Sequence, residues 1–306
     1  MISFRYHLVS IAAVFLALAV GVVLGSAGVS DRLLSAVSAQ ADDLAGQVQT
    51  LRAERDALAA GQRASDEFAR RVGPAAVRGQ LQGTTITLVT AGADPADREA
   101  VVRLLEQAGA TLGGEVALTP AVGDPARGDQ LRALTAELLP TGAQLPAATD
   151  TGSLVGGLLG GIVLAGGQPV APQEADAVLT GLAAAGFVAP GQRPQPGNAV
   201  LVLTGGALEG VDAPDAAAVI ARLAAQLDRV GGGAVLAGRA GSADAAGAVG
   251  VARADPDIAQ RISTVDDIQS GAGQVSAVLA LREQLDGRAG SYGTAETATG
   301  GAAPAA

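Results

Sequence analysis

Three small groups of residues have the types and spacing that chemistry would need. Asp255-x-Asp257 and Asp266-Asp267 are paired acids, and carboxylate oxygens in pairs can hold a hard cation. Surface acids and helix-capping acids share that spacing. Thr204-Gly205-Gly206 follows an apolar run, where glycine can admit a phosphate or a sugar to the backbone. A plain turn from strand to loop uses the same residues. Soft-metal ligands are scarce: the chain has no cysteine, Met1 is its only methionine and His7 its only histidine. The usual general base and thiol nucleophile are therefore missing from everything beyond residue 7, and there is no Walker loop. The expectation is a protein that is not an enzyme, with no catalytic, cofactor-binding or metal-ligating residue assigned and no cofactor.

The elements around these groups explain more than the groups do. All 20 basic residues are arginine, alanine and glycine dominate, and aromatics make up only 2% of the 306 residues. A core must then come from Leu, Val, Ile and Ala, which suffices at this length. The net charge of −10 is unevenly placed: residues 31–72 carry seven acids and six arginines, and residues 73–306 carry 23 acids and 13 arginines. An acidic domain is a poor partner for nucleic acid, whose phosphates need clustered basic side chains.

Leu8 to Val29 is a run of 22 uncharged residues, LVSIAAVFLALAVGVVLGSAGV. At the helical rise it spans ~33 Å, enough to cross a hydrocarbon layer of ~30 Å. Leu8, Val14, Phe15, Val20, Gly21, Leu24 and Gly25 are its anchor residues, and Gly21-x-x-x-Gly25 has the spacing of a helix-dimerisation face. A cleaved signal peptide is the competing reading, with Gly25-Ser26-Ala27 as a passable cleavage site, although the run is longer than such segments usually are. Arg5 and the terminal amine place the N-terminus in the cytoplasm and the rest of this single-pass chain outside.

Behind the apolar run, Leu34, Val37, Ala41, Leu44, Val48, Leu51, Arg55 and Leu58 alternate in steps of three and four. That is the a/d seam of a coiled coil, with Arg55 on an a position, and it predicts self-association. A monomeric amphipathic helix lying on the globular domain has the same pattern. Gly73-Pro74 is expected to end the helix.

From there the rhythm changes. TTITLVT at 84–90, EVALT at 115–119, Val200–Thr204, Ala234–Ala237 and Ile262–Val265 read as strands. Between them lie helical stripes: one behind Asp94-Pro95, one behind Asp124-Pro125, and others at Pro172–Gly186, Asp212–Val230 and Val275–Leu285. Segment 152–167 is too short and too glycine-rich to read as a membrane span and reads as a buried helix or a tight loop. Strands alternating with helices predict an α/β fold with a mostly parallel sheet covered on both faces. The organisation expected is an anchor at 1–30, a coiled coil at 31–72, an α/β domain at 80–290 and a disordered tail at 291–306.

The opening MISFRYHLVSIAAVFLALAVGVVLGS with its heptad helix, and the closing run STVDDIQSGAGQVSAVLALREQLDGRAGSYG from Ser263 to Gly293, resemble the actinobacterial copper transporter family MctB. The resemblance covers nearly the whole chain. It implies an envelope membrane protein linked to copper transport or homeostasis, described for the family as a channel-forming outer-membrane protein. A related corynebacterial member is described as a septal coiled-coil protein working with a partner, which implies an alternative: a non-transporting interaction protein that recruits a division or cell-wall partner. No copper ligand is carried over from the resemblance.

Overall fold

The computed structural model describes residues 4–305; the side chains of residue 4 and of residues 26–36, Leu34 among them, lie outside the described residues, as does Met1. The chain divides into two compact units, Met1–Arg63 and Ala64–Ala306. Helix α1 covers Phe4–Val77. It runs past Gly73-Pro74, where the sequence pattern predicted its end. Proline removes one backbone donor, but Val77 and Leu81 just beyond are fully buried, and that burial holds the last turn in place. The chain leaves the helix through Gly79, whose φ of 78° suits glycine.

The second unit is built on a six-stranded sheet in the order β2-β1-β3-β4-β5-β6, parallel throughout. Its strands are β1 (Thr85–Ala91), β2 (Thr111–Leu118), β3 (Ala199–Thr204), β4 (Ala234–Ala237), β5 (Ser263–Val265) and β6 (Ser291–Tyr292). Every residue of β3 and β4 is buried, as unbroken apolar runs in a parallel sheet require. Alternate residues serve opposite faces. Val200 and Val202 join the core beneath α3 (Gly128–Glu137), α4 (Thr151–Val163), α5 (Pro172–Ala184) and α6 (Ala213–Val230). Leu201 and Leu203 join the core beneath α2 (Pro95–Gln107) and α9 (Gly271–Leu285). The short helices α7 (Ala248–Ala254) and α8 (Pro256–Ala259) complete the first layer.

Helix starts follow local chemistry. Asp94 caps α2 by accepting from the Ala96 N–H at 2.8 Å, with Pro95 in the first turn. Asp124-Pro125 caps in the same way but opens a short 3-10 turn, Pro125–Arg127, ahead of α3. Ser270 accepts from the Gly273 N–H at 2.8 Å and starts α9 four residues before the expected Val275.

The glycine-rich segment is a buried helix, α4. Gly152, Gly156 and Gly160 recur every four residues and form one face against α6. A Cβ on Gly156 would lie 2.9 Å from the Leu223 carbonyl oxygen, and one on Gly160 2.9 Å from Val230 Cγ2. The glycines are what let the two backbones meet.

The tail expected to be disordered is folded onto the domain. Ser291–Tyr292 pairs with β5, Tyr292 is buried, and its hydroxyl donates to Glu283 Oε2 at 2.6 Å. Arg253 and Asp266 form a buried ion pair at 2.7 Å. Arg253 also donates to the Tyr292 carbonyl at 2.8 Å, and Asp266 accepts from the Thr294 N–H at 2.8 Å. Composition missed this because hydrogen bonds to a buried ion pair order the segment together with the burial of only two of its side chains, Tyr292 and Ala303. The β5–α9–β6 connection moves across the sheet in the same direction as β3–α6–β4 but over the opposite face, so its crossover has the opposite hand. Such crossovers are nearly always of one hand, and here the two-residue strand β6 is held by its pairing with β5, by the burial of Tyr292 and by bonds to the Arg253–Asp266 pair.

Gly156→Val is expected to destabilise the protein by about 1–3 kcal/mol through overpacking. Gly161→Ala, whose Cβ would sit 3.6 Å from Val170 Cγ2, is expected to be neutral or stabilising. Urea unfolding of the two variants measures the difference.

Candidate functional site

In a parallel sheet that grows in both directions from β1, the chain reverses between β1 and β3, and a crevice opens beyond the carboxyl ends of the strands. Here it is a cavity of about 360 Å³. Ala91 and Gly92 from the end of β1, Leu118 and Thr119 from the end of β2, and Ala216 and Ile220 from α6 supply the mostly apolar floor. Asp124, Glu209 and Asp212 stand among its lining, which holds no arginine or histidine. A phosphate would meet carboxylates there and find no cation. The Thr204-Gly205-Gly206 turn is explained by packing instead: a Cβ on Gly205 would lie 3.0 Å from the Gly92 carbonyl oxygen, and one on Gly206 2.7 Å from that of Ala240.

The paired acids take structural roles. Asp255 caps α8, accepting from the Asp257 N–H at 3.0 Å. Asp266 is held by Arg253. Asp267 is buried; its Oδ2 accepts from the Ser270 hydroxyl at 2.6 Å, while its Oδ1 has no hydrogen-bond partner among the described residues. Burial pushes its carboxyl above the ordinary range, against the pull of the Ser270 hydrogen bond. Across the strand ends, Arg239 bridges Asp94 at 2.7 Å and Asp97 at 3.1 Å. Asp97 is likewise raised by burial, with Arg239 opposing. Among the described residues no group of three or more His, Asp or Glu side chains is placed to hold a metal ion.

The remaining predicted residues all lie on α1. Leu8, Val14, Phe15, Val20 and Leu24 are exposed, and nothing stands within 4 Å of a Cβ on Gly21 or Gly25. Arg5–Gly25 is one helical stretch long and apolar enough to cross a membrane, with mean hydropathy 2.7 and none of it buried. Val37, Leu44, Val48, Leu51 and Leu58 are exposed as well. Two features escaped sequence reasoning: the Arg253–Asp266 pair, whose partners lie 13 residues apart without a motif, and Val211, 96% exposed at the rim of the crevice.

These observations define a class, a doubly wound α/β protein carrying one N-terminal apolar helix of membrane-spanning length. A family model described as "Copper transport outer membrane protein, MctB" matches residues 1–303, and the chain belongs to that family. The protein named copper transporter MctB in Mycobacterium tuberculosis is 42% identical over 303 residues, covering 96% of each chain, and its namesake in Mycobacterium bovis matches equally. The Mycobacterium leprae protein of that name is 39% identical over 311 residues, covering 98% of each.

Asp267 gives a signed pH test. A carboxyl whose folded pKa exceeds its unfolded value keeps its proton longer in the native state. The contribution of this group to stability is therefore fully present below the unfolded value, about 4, and is lost as pH rises through the folded value. Asp267→Asn is expected to flatten that fall, read as a smaller loss of unfolding free energy between about pH 4 and pH 7.

Proposed function

We propose that this chain is an envelope membrane protein serving copper transport or homeostasis, and that it works without a tight copper site of its own. The full-length match to the MctB family carries the copper reading. The ligand inventory carries the second clause. Cu(I) prefers thiolate and thioether ligands and accepts imidazole; this chain has no cysteine, and its one methionine and one histidine both lie within its first seven residues.

The reading gives α1 the role of anchor, with its N-terminus in the cytoplasm and the α/β domain outside; the family's description makes the outer membrane a further candidate for the site of insertion. One apolar helix offers an ion no polar path through hydrocarbon, where an isolated charge is prohibitive. The sheet is parallel and covered on both faces, unlike the antiparallel strands of membrane barrels. Copper would therefore move through an assembly of copies or with a partner, brought together by the heptad seam from Leu34 to Leu58. The exposed part of that seam, Val37 to Leu58, also supports a second reading, a non-transporting protein that recruits a division or cell-wall partner. Neither reading gives the chain a catalytic step.

In a strain lacking its own family member, the full chain is expected to lower cell copper and restore growth on copper. Removing residues 4–25 is expected to abolish that, and His7→Ala to leave it intact. Unchanged copper content together with altered septation would overturn the copper reading in favour of the second.

A further inference from the structure

The second unit carries an apolar groove of about 600 Å³ between the last turns of α1 and the start of α9. Phe68, Val72, Ala69 and Gly73 line it from α1, and Ala272 and Val275 from α9. Phe68 is 68% exposed and Val72 43%, large apolar side chains that the chain itself leaves uncovered. α9 lies close because of glycine: a Cβ on Gly73 would meet Val275 Cγ2 at 2.6 Å, and one on Gly271 would meet Ala69 Cβ at 2.9 Å.

We propose that a second copy of this chain, running parallel, fills this groove, so that the dimer seam continues from the heptad helix into the α/β domain. The proposal rests on the self-association put forward above and adds its second half.

The register is the first support. Counted along the sequence, the steps of three and four that join Val37 to Leu58 continue through Gln62, Ser65, Ala69, Val72 and Ala76. Four of these, Ser65, Ala69, Val72 and Ala76, line the groove. The charged neighbours Glu67 and Arg71 fall on outer heptad positions and pair with each other, and the last seam positions, Ala69, Val72 and Ala76, are apolar.

Direction is the second. Two copies anchored through Arg5–Gly25 in one membrane must run parallel. In a parallel pair a g residue packs near the e residue five positions further along its partner. With Arg55 at a, Phe68 is a g residue and Gly73 the e residue that faces it. Gly73 is itself buried beneath Val275, so the partner's Phe68, the largest side chain of the stretch, would pack on the Val275 side chain that lies over the smallest residue. A polar or charged occupant has little to bind there, because the lining is almost wholly apolar.

The chain has no cysteine, so single-cysteine variants of the full-length protein report the seam without background. Residues at d positions of a parallel pair approach closely enough for a disulfide. Mild oxidation in membranes is expected to cross-link Leu51→Cys and Val72→Cys into dimers, several-fold more than Arg71→Cys on the outer face. Adding Phe68→Asp is expected to cut cross-linking of Val72→Cys several-fold while leaving that of Leu51→Cys unchanged. Cross-linking at Leu51→Cys alone would overturn the groove proposal and leave the heptad seam standing. Loss at both positions would overturn self-association as well. An adduct at Val72→Cys with a mass other than twice the chain would show a different occupant and overturn the proposal.

Discussion

The chain has four phenylalanines, two tyrosines and no tryptophan in 306 residues, and of these only Phe187 and Tyr292 are buried among the described residues, so the core can fill space only by bringing backbones close together. Protein interiors tolerate few voids, so small side chains force close layers, and close layers in turn require glycine at the crossings. That constraint runs through the α/β domain. It sets α4 against α6 through Gly152, Gly156 and Gly160, and α1 against α9 through Gly73 and Gly271. It also accounts for the strand ends, where Gly205 and Gly206 admit neighbouring carbonyl groups and no ligand is needed to explain them. The price of such packing is intolerance: a methyl group added at most of these positions would collide with a neighbour.

Much of this was legible in the residues. The strands β1, β3, β4 and β5 announced themselves as short apolar, β-branched runs, and α2, α5 and α6 by their caps and stripes. What the pattern could not supply was anything that depends on partners distant in sequence. Pro74 reads locally as a helix end, yet the buried side chains of Val77 and Leu81 carry α1 onward. The tail reads locally as a segment without core-forming residues, yet Arg253 and Asp266 bind it at Tyr292, Thr294, Ala295 and Thr297. The pair has no sequence signature, since a buried arginine and a surface arginine look alike in a string. The crevice was illegible for the same reason. It exists only because β1 and β3 lie side by side, and β3 begins more than 100 residues after β1 starts.

The closing run that resembles the MctB family now has a physical meaning. Ser263 to Gly293 is β5, α9 and β6, and it contains Asp266, which orders the tail, and Ser270, which caps α9. Of its two adjacent acids, Asp266 pairs with Arg253 and Asp267 accepts from the Ser270 hydroxyl. The opening run has a different role, an apolar helix with no covering in the chain. The family match spans residues 1–303, and the two runs at its ends are an apolar helix of membrane-spanning length and a packing device. In the reading proposed above, copper transport is to be sought in assembly, at the apolar surfaces of α1.

The most direct test of that account is a Cu(I) titration of the purified full-length chain against a competing chelator of known affinity. The account predicts no stoichiometric high-affinity binding, and any weak binding should vanish with His7→Ala. One tightly held Cu(I) per chain that survives His7→Ala would contradict it, since the ion would have to be held by residues that the fold assigns to packing and ion pairs.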